Sequence, residues 1–310
     1  MKMYNIFKQF INNKSGVTSL HNRMKKIQEA LGRIESRQIQ QYSKNINDAE
    51  FRVFSQWGDD GIIQYLINKV PIEKNIFIEF GVENYTESNT RFLVMNNNWS
   101  GLIMDGSEEN IDFIKNDIEI YFSYNILVMQ AFITRENIND LILKNGIEGD
   151  IGILSIDIDG NDYWVWDAIN CIKPRIVICE YNSMFGKSAK VSIPYRADFS
   201  RERSDISITY YGASIAALNE IGKEKGYSLV CSNMAGNNAF FVRNDLMENL
   251  TALSCEEAYN QIQVREHKDK KASRNIYDFK DRINEIGDFE LYNLENKTIM
   301  RIKDIDGICQ

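Results

Sequence analysis

Between Gly152 and Trp166 the chain reads Gly-Ile-Leu-Ser-Ile-Asp-Ile-Asp-Gly-Asn-Asp-Tyr-Trp-Val-Trp, an apolar run that breaks into three carboxylates around one glycine. Ile151, Ile153, Leu154, Ile156 and Ile158 are too continuous for a strand with one wet face, so they predict a central strand buried on both sides. Such strands belong to layered α/β sheets, whose ligands bind beyond the carboxyl ends of the strands. Asp157, Asp159 and Asp162 fall at that end, where three acids hold a cation or handle a proton. Helix capping by Asp159 or Asn161 explains one such residue, not three.

At 310 residues the chain suffices for one large domain with appendages or two small ones. A net charge of −8 argues against a nucleic-acid partner. The N-terminal stretch holds no apolar run of signal-peptide length and nothing later is long enough to span a membrane, so the expected compartment is the cytoplasm. The five cysteines are odd in number and form no C-x-x-C pair, so they read as small core residues, not a disulfide framework or zinc site.

In residues 1–50, Leu20, Met24, Ile27, Leu31 and Ile34 alternate steps of four and three, which predicts a helix with a coiled-coil-like seam. Two heptads favour packing of that seam on the domain's own surface over homo-oligomerisation. Residues 51–245 carry the α/β pattern. A loop, Phe51 onward, feeds a helix whose N-terminal acid is Asp59 or Asp60 and whose buried stripe is Ile62, Ile63, Leu66 and Ile67. A short strand then ends in Glu79 and Gly81, before a helix over Thr86 to Met95. Strand, glycine turn and helix N-terminus together form a cradle for a nucleoside-type cofactor.

The second strand ends at Asp105, 26 positions after Glu79, where an acid holds ribose hydroxyls. Gly106 and Ser107 follow, Ser107 as N-cap. A third strand runs from Ile126 to Phe132. After the acid cluster comes a helix over Tyr163 to Cys171, stopped by Pro174, then a fifth strand, Arg175 to Asn182, which brings Glu180 and Asn182 to the end next to Asp157. Ser183 to Tyr211 lacks periodicity and reads as a lid or binding loop. Its five cations, Arg196, Arg201 and Arg203 among them, outnumber its three acids, which suits a phosphate on the substrate. A helix over Ala213 to Lys225 and two strands joined by a short turn close the region with an antiparallel hairpin. Residues 246–310 read as a C-terminal appendage with a helix over Met247 to Val264, a charged run from Arg265 to Arg274, and strands near Phe289 to Leu294 and Thr298 to Ile302.

Taken in order, Ser55-Gln-Trp-Gly-Asp-Asp-Gly61, Ile78-Glu-Phe-Gly81, Asn89-Thr-Arg-Phe-Leu93, Trp99-Ser-Gly-Leu-Ile-Met-Asp-Gly-Ser107, Leu154-Ser-Ile-Asp-Ile-Asp-Gly-Asn-Asp-Tyr-Trp164 and Glu180-Tyr-Asn182 resemble the class I S-adenosylmethionine-dependent methyltransferases, specifically the FkbM-like group associated with sugar and natural-product O-methylation. The resemblance covers roughly residues 51–245. It implies a doubly wound, mostly parallel sheet closed by an antiparallel hairpin, and S-adenosylmethionine held by Gln56, Glu79, Gly81, Asn89, Asp105, Gly106, Ser107, Ala131 and Phe132. It implies a sugar or sugar-nucleotide acceptor, as in surface polysaccharide or natural-product biosynthesis, met by Tyr181, Arg196, Arg201 and Arg203. Asp157 with Glu180 and Asn182 also resembles the Mg²⁺ or Mn²⁺ site of catechol-type O-methyltransferases, although the acid and amide are not adjacent here. Asp157 and Asp159 are the expected catalytic residues, Asp159 being the base if no cation takes part. Where class I enzymes commonly have a further glycine this chain has Glu83, a loss that counts against a pyrophosphate cofactor more than against a methyl donor.

Two other classes fit parts of the pattern. Asp157-Ile-Asp159-Gly160 resembles the nucleophile loop of haloacid-dehalogenase phosphohydrolases, which follows the first strand of that fold, whereas three or more strands precede it here. A non-catalytic S-adenosylmethionine-binding module is the other.

Overall fold

The order in which the strands lie determines which acids can meet. The structure, a computed structural model, describes residues 2–201, 209–261 and 279–308. A long helix, α1 (Lys2–Tyr42), precedes α2 (Asp59–Lys69), β1 (Ile76–Phe80), α3 (Arg91–Asn97), β2 (Ser100–Asp105), α4 (Glu108–Asn116), α5 (Ile118–Tyr121), β3 (Ile126–Gln130), α6 (Ile138–Lys144) and β4 (Gly149–Ile156). There follow α7 (Asp162–Ala168), β5 (Ile172–Glu180), the two-residue β6 (Val191–Ser192), α8 (Ile215–Glu224), β7 (Tyr227–Ser232) and β8 (Asn238–Arg243). The chain ends with α9 (Cys255–Ala258), α10 (Phe279–Ile286), β9 (Glu290–Asn293) and β10 (Thr298–Arg301).

Seven strands form one sheet in the order β3-β2-β1-β4-β5-β8-β7. The first five are mutually parallel, and β8 runs antiparallel to both its neighbours. This is the expected doubly wound sheet closed by a hairpin. β4 is central and covered on both faces. Leu154 and Ile156 join a layer with Trp166, Leu218 and Phe241, while Ile153 joins the opposite layer with Ile63, Phe77 and Ile103. Parallel pairing of β1, β4 and β5 aligns their carboxyl ends, so Glu79, Asp157 and Glu180 emerge on one edge.

Four elements differ from the sequence reading. α3 begins at Arg91, later than expected, because the backbone N–H groups of Asn89 and Thr90 are bound by Glu79 and cannot open a helix. Pro174 lies inside β5, and the helix before it ends earlier, at Ala168. Of the helix expected over Met247 to Val264, the described part contains only α9, set by a Ser254–Glu257 capping box; the charged run from Arg265 to Arg274 lies outside the described residues. Most plainly, the seam of α1 does not rest on the domain. Leu20, Met24, Ile27, Leu31 and Ile34 are exposed, and Glu29, Gly32, Ser36 and Ile39 are turned inward.

The two C-terminal strands are real, and they are not detached. β9 pairs with β10 and with β6, forming a three-stranded sheet over a cluster of Phe185, Val191, Ile193, Ile286, Leu291 and Ile302. Among the described residues no helix is long and apolar enough to cross a membrane.

Candidate active site

Glu79 closes β1 and organises the turn after it. Its carboxylate accepts from the backbone N–H of Asn89 (2.8 Å) and of Thr90 (3.1 Å), and from the Thr90 hydroxyl. Burial nevertheless raises its pKa to about 7. Asn89 is tied in turn to Ser155 of β4 through its side-chain amide (3.1 Å). Gly81 sits at φ +70°, and a Cβ there would lie 1.5 Å from the carbonyl oxygen of Asp157. The turns after β1 and β4 therefore touch, and only glycine permits it.

Glu83, which stands where a glycine is common, adopts a left-handed backbone with φ 48°. Its N–H donates to Asp105 (2.8 Å), so the turn keeps a glycine-like path with one strained residue. The other oxygen of Asp105 accepts from the Ser107 N–H (2.8 Å) and the Asn110 side chain (3.1 Å). Ser107 caps α4 as expected. Gly106 lies beside Ala131 and the half-exposed Phe132 at the neighbouring end of β3.

The acids after β4 and β5 converge. Single carboxylate oxygens of Asp157, Asp162 and Glu180 lie within 4.8 Å of one another. Burial, and then the charge of neighbouring acids, holds Asp157 and Glu180 well above the usual carboxylate range. Glu180 is buried, with one oxygen, Oε2, lacking a hydrogen-bond partner among the described residues. Asp162 does a second job: it accepts from the N–H of Ile158 (2.8 Å) and Gly160 (2.9 Å), folding the acid-bearing turn around itself, and burial lifts its pKa to about 6. Asp159, with φ 54°, is exposed and ion-paired with Arg201. The better-placed proton acceptor of the two expected catalytic acids is thus Asp157.

One cleft joins these pieces. Gln56, Glu79, Gly81, Asn89, Asp157, Asp159, Glu180 and Arg201 all line it. Sequence reasoning missed its far wall. Asn237 closes the β7–β8 turn and Asn238 opens β8; Asn233 folds that turn by accepting from three backbone N–H groups, those of Gly236, Asn237 and Asn238. Asn233 and Asn238 also donate to Asp59 at the start of α2 (2.9 and 3.3 Å), a carboxyl raised to about 7 by burial. The signal was the Asn-Asn pair opposite Glu180 in the antiparallel register. Tyr211, over whose ring Arg201 lies at 4.1 Å, was missed as well.

Three expected site residues are used elsewhere. The side-chain amide of Asn182 donates to the carbonyls of Thr209 (2.9 Å) and Tyr211 (3.0 Å), and its oxygen accepts from the Met184 N–H (3.0 Å). The third group beside Asp157 and Glu180 is accordingly Asp162. Tyr181 is fully buried in the layer that holds Val177, Cys179 and Trp166, its hydroxyl donating to the Asn260 carbonyl (2.8 Å). Arg196 is exposed, outside the cleft lining and paired with Asp198 (3.4 Å). Arg203 lies outside the described residues. Ala131, Phe132, Asp105, Gly106 and Ser107 gather at the ends of β2 and β3, beside the cleft rather than in it.

No protein-family model matches the chain, and no curated protein matches it. Among solved structures it is similar to the N-terminal domain of EvdMO1 with SAH bound, at 13% identity over 67% of this chain and 93% of that one, with a TM-score of 0.41. It is also similar to a putative caffeoyl-CoA O-methyltransferase from Staphylococcus aureus (16% identity, 67% and 91% covered, TM-score 0.40). A third is an S-adenosylmethionine-dependent methyltransferase from Clostridium acetobutylicum (10% identity, 60% and 90% covered, TM-score 0.37). At that distance these likenesses assign the chain no activity.

Proposed function

We propose that this chain is an S-adenosylmethionine-dependent O-methyltransferase whose acceptor is a hydroxyl of a sugar or sugar nucleotide. The observation that carries the reading is the contact at Gly81, which sets a nucleoside cradle directly against Asp157, Glu180 and Asp162. In this reading Asp105 accepts from the ribose hydroxyls, using lone pairs its N–H partners leave open, and Phe132 beside Gly106 offers its exposed ring to the base. Glu79 holds the turn that the methyl donor's amino-acid end would meet.

The donor set of the acid cluster fits a hard divalent cation: three carboxylates within reach, and one buried oxygen without a partner among the described residues. S-adenosylmethionine supplies an electrophilic methyl carbon, and Mg²⁺ or Mn²⁺ held by Asp157, Glu180 and Asp162 would lower the pKa of an acceptor hydroxyl. Asp157, which lines the cleft beside Glu180, is the group that receives the hydroxyl proton. Asn237 and Asn238 line the same cleft and present amides suited to sugar hydroxyls. Arg201, stacked on Tyr211 and paired with Asp159, offsets part of the acid charge and stands where a substrate phosphate would enter.

The test is direct. Purified chain, S-adenosylmethionine and a panel of sugars and sugar nucleotides should yield S-adenosylhomocysteine and an acceptor heavier by one methyl group. EDTA should stop turnover and Mg²⁺ or Mn²⁺ restore it, while Asp157→Asn abolishes turnover and leaves cofactor binding nearly intact. Tight NADH binding with no response to S-adenosylmethionine would sink the assignment; cofactor binding without transfer to any hydroxyl would reduce the chain to a binding module.

A further inference from the structure

α1 meets the rest of the molecule with its least apolar side. Glu29, Gly32, Ser36 and Ile39 face inward, Gln28 donates to the Val53 carbonyl, and a Cβ at Gly32 would lie 2.5 Å from the Val53 side chain. Leu20, Met24, Ile27, Leu31 and Ile34 are 49% to 61% exposed. At 3.6 residues per turn the two rows lie roughly 150° apart around the helix. In sequence the outer row continues backward in the same alternation through Val17, Asn13, Phe10, Ile6 and Met3. From Met3 to Ile34 every core-type position is apolar except Asn13.

We propose that α1 is one strand of a parallel coiled coil and that its outer row is covered by the same row of a second copy of this chain. A repeat of 3.5 residues held over more than four heptads is the period at which helices supercoil and interlock knobs into holes. The stripe is narrow, two apolar residues in seven, as in a coiled-coil seam; a membrane surface takes a face of 100° or more. The residues flanking the seam suit a parallel, in-register pair, since Ala30 then meets Glu35 and Arg37 meets Tyr42, with no like-charge contact. The two bodies, each held on the far side of its own helix, stay out of the way.

Sedimentation of the full chain should give a mass at least twice that of one 36.0 kDa chain. Ile27→Asp with Leu31→Asp should reduce it to that of one chain without loss of helical signal or thermal midpoint, because neither side chain is buried in the single copy. Lys26→Asp, off the seam, should leave the larger mass unchanged. Leu20→Cys should form a covalent dimer on mild oxidation, which only a parallel, in-register pair allows. A wild-type chain that sediments as one copy overturns the proposal, as does an assembly that survives the double aspartate change. A single-copy chain that binds anionic vesicles through this row also overturns it and gives the face to a membrane.

Discussion

Replacing Gly81 by alanine would push a methyl group against the Asp157 carbonyl in a backbone region that alanine avoids. We expect Gly81→Ala to lose ~2 kcal/mol or more of stability and to lose S-adenosylmethionine binding with it, read by thermal melts and calorimetry. Asp105→Ala should be milder, weakening cofactor binding by about 1 to 3 kcal/mol, the cost of leaving polar partners unmatched. Asn182 separates two roles. If its amide only ties the Thr209 and Tyr211 carbonyls and caps Met184, Asn182→Ala lowers the thermal midpoint and raises the acceptor KM but leaves Mn²⁺ affinity, measured by calorimetry, unchanged. A large drop in Mn²⁺ affinity would return it to the ligand set. At this scale the acids were legible because clustering so many carboxylates at one strand end exceeds what helix capping needs. Asn182 was not, because it lies just past the end of β5, where strand alternation no longer says which way a side chain points.

Strands and hairpin could be read from sequence since each is a run of apolar residues of the right length, ended by glycine, asparagine or acid. Helix limits were less legible where side chains compete for backbone N–H groups: Glu79 delays α3, and Asp60 gathers the N–H groups of Val53, Phe54 and Ser55 to shape the loop before α2. α1 shows a deeper limit. Periodicity finds the apolar face of a helix but not what that face meets, and here the domain takes the small, polar side. The 183–211 segment looked unanchored because its partners are distant in sequence. Asn161 donates to the Arg196 carbonyl (2.8 Å), and Trp164 to that of Ile193 (2.9 Å). Arg201→Gln should therefore raise the KM for a phosphorylated acceptor, an effect that fades with salt, without unfolding the segment. Unchanged acceptor kinetics would make that arginine a partner of Asp159 alone.

For the whole molecule, buried carboxyls tie stability to pH, two of them outside the acid cluster. Asp59 and Glu79 are both raised to about 7, chiefly by burial. Below a pH of about 4 the folded and unfolded chains both keep these protons, so the folded state loses nothing. Between about 4 and about 7 the unfolded chain releases protons that the folded chain retains, so stability falls as pH rises and levels off above that range. The thermal midpoint should drop across this interval, by an amount on the order of a few kcal/mol in free energy, and the slope should flatten in Asp59→Asn and in Glu79→Gln. An identical slope in both variants would place the titration elsewhere.

The pairing of β6 with β9 joins residues about a hundred positions apart, and it sets a schedule for synthesis. Strands β1 to β5 and the glycine turn can assemble once their own residues have left the ribosome, since a nascent chain folds from its N-terminus. Val191 and Ser192 must wait for Tyr292 and Asn293, so the wall of the cleft that carries Arg201 gains its second anchor only after residues about a hundred positions further on have been made. A chain stopped after Asp245 should therefore still bind the methyl donor while showing faster proteolysis between Ser183 and Tyr211. The Arg201 side of the cleft is thus completed after the Gly81 side.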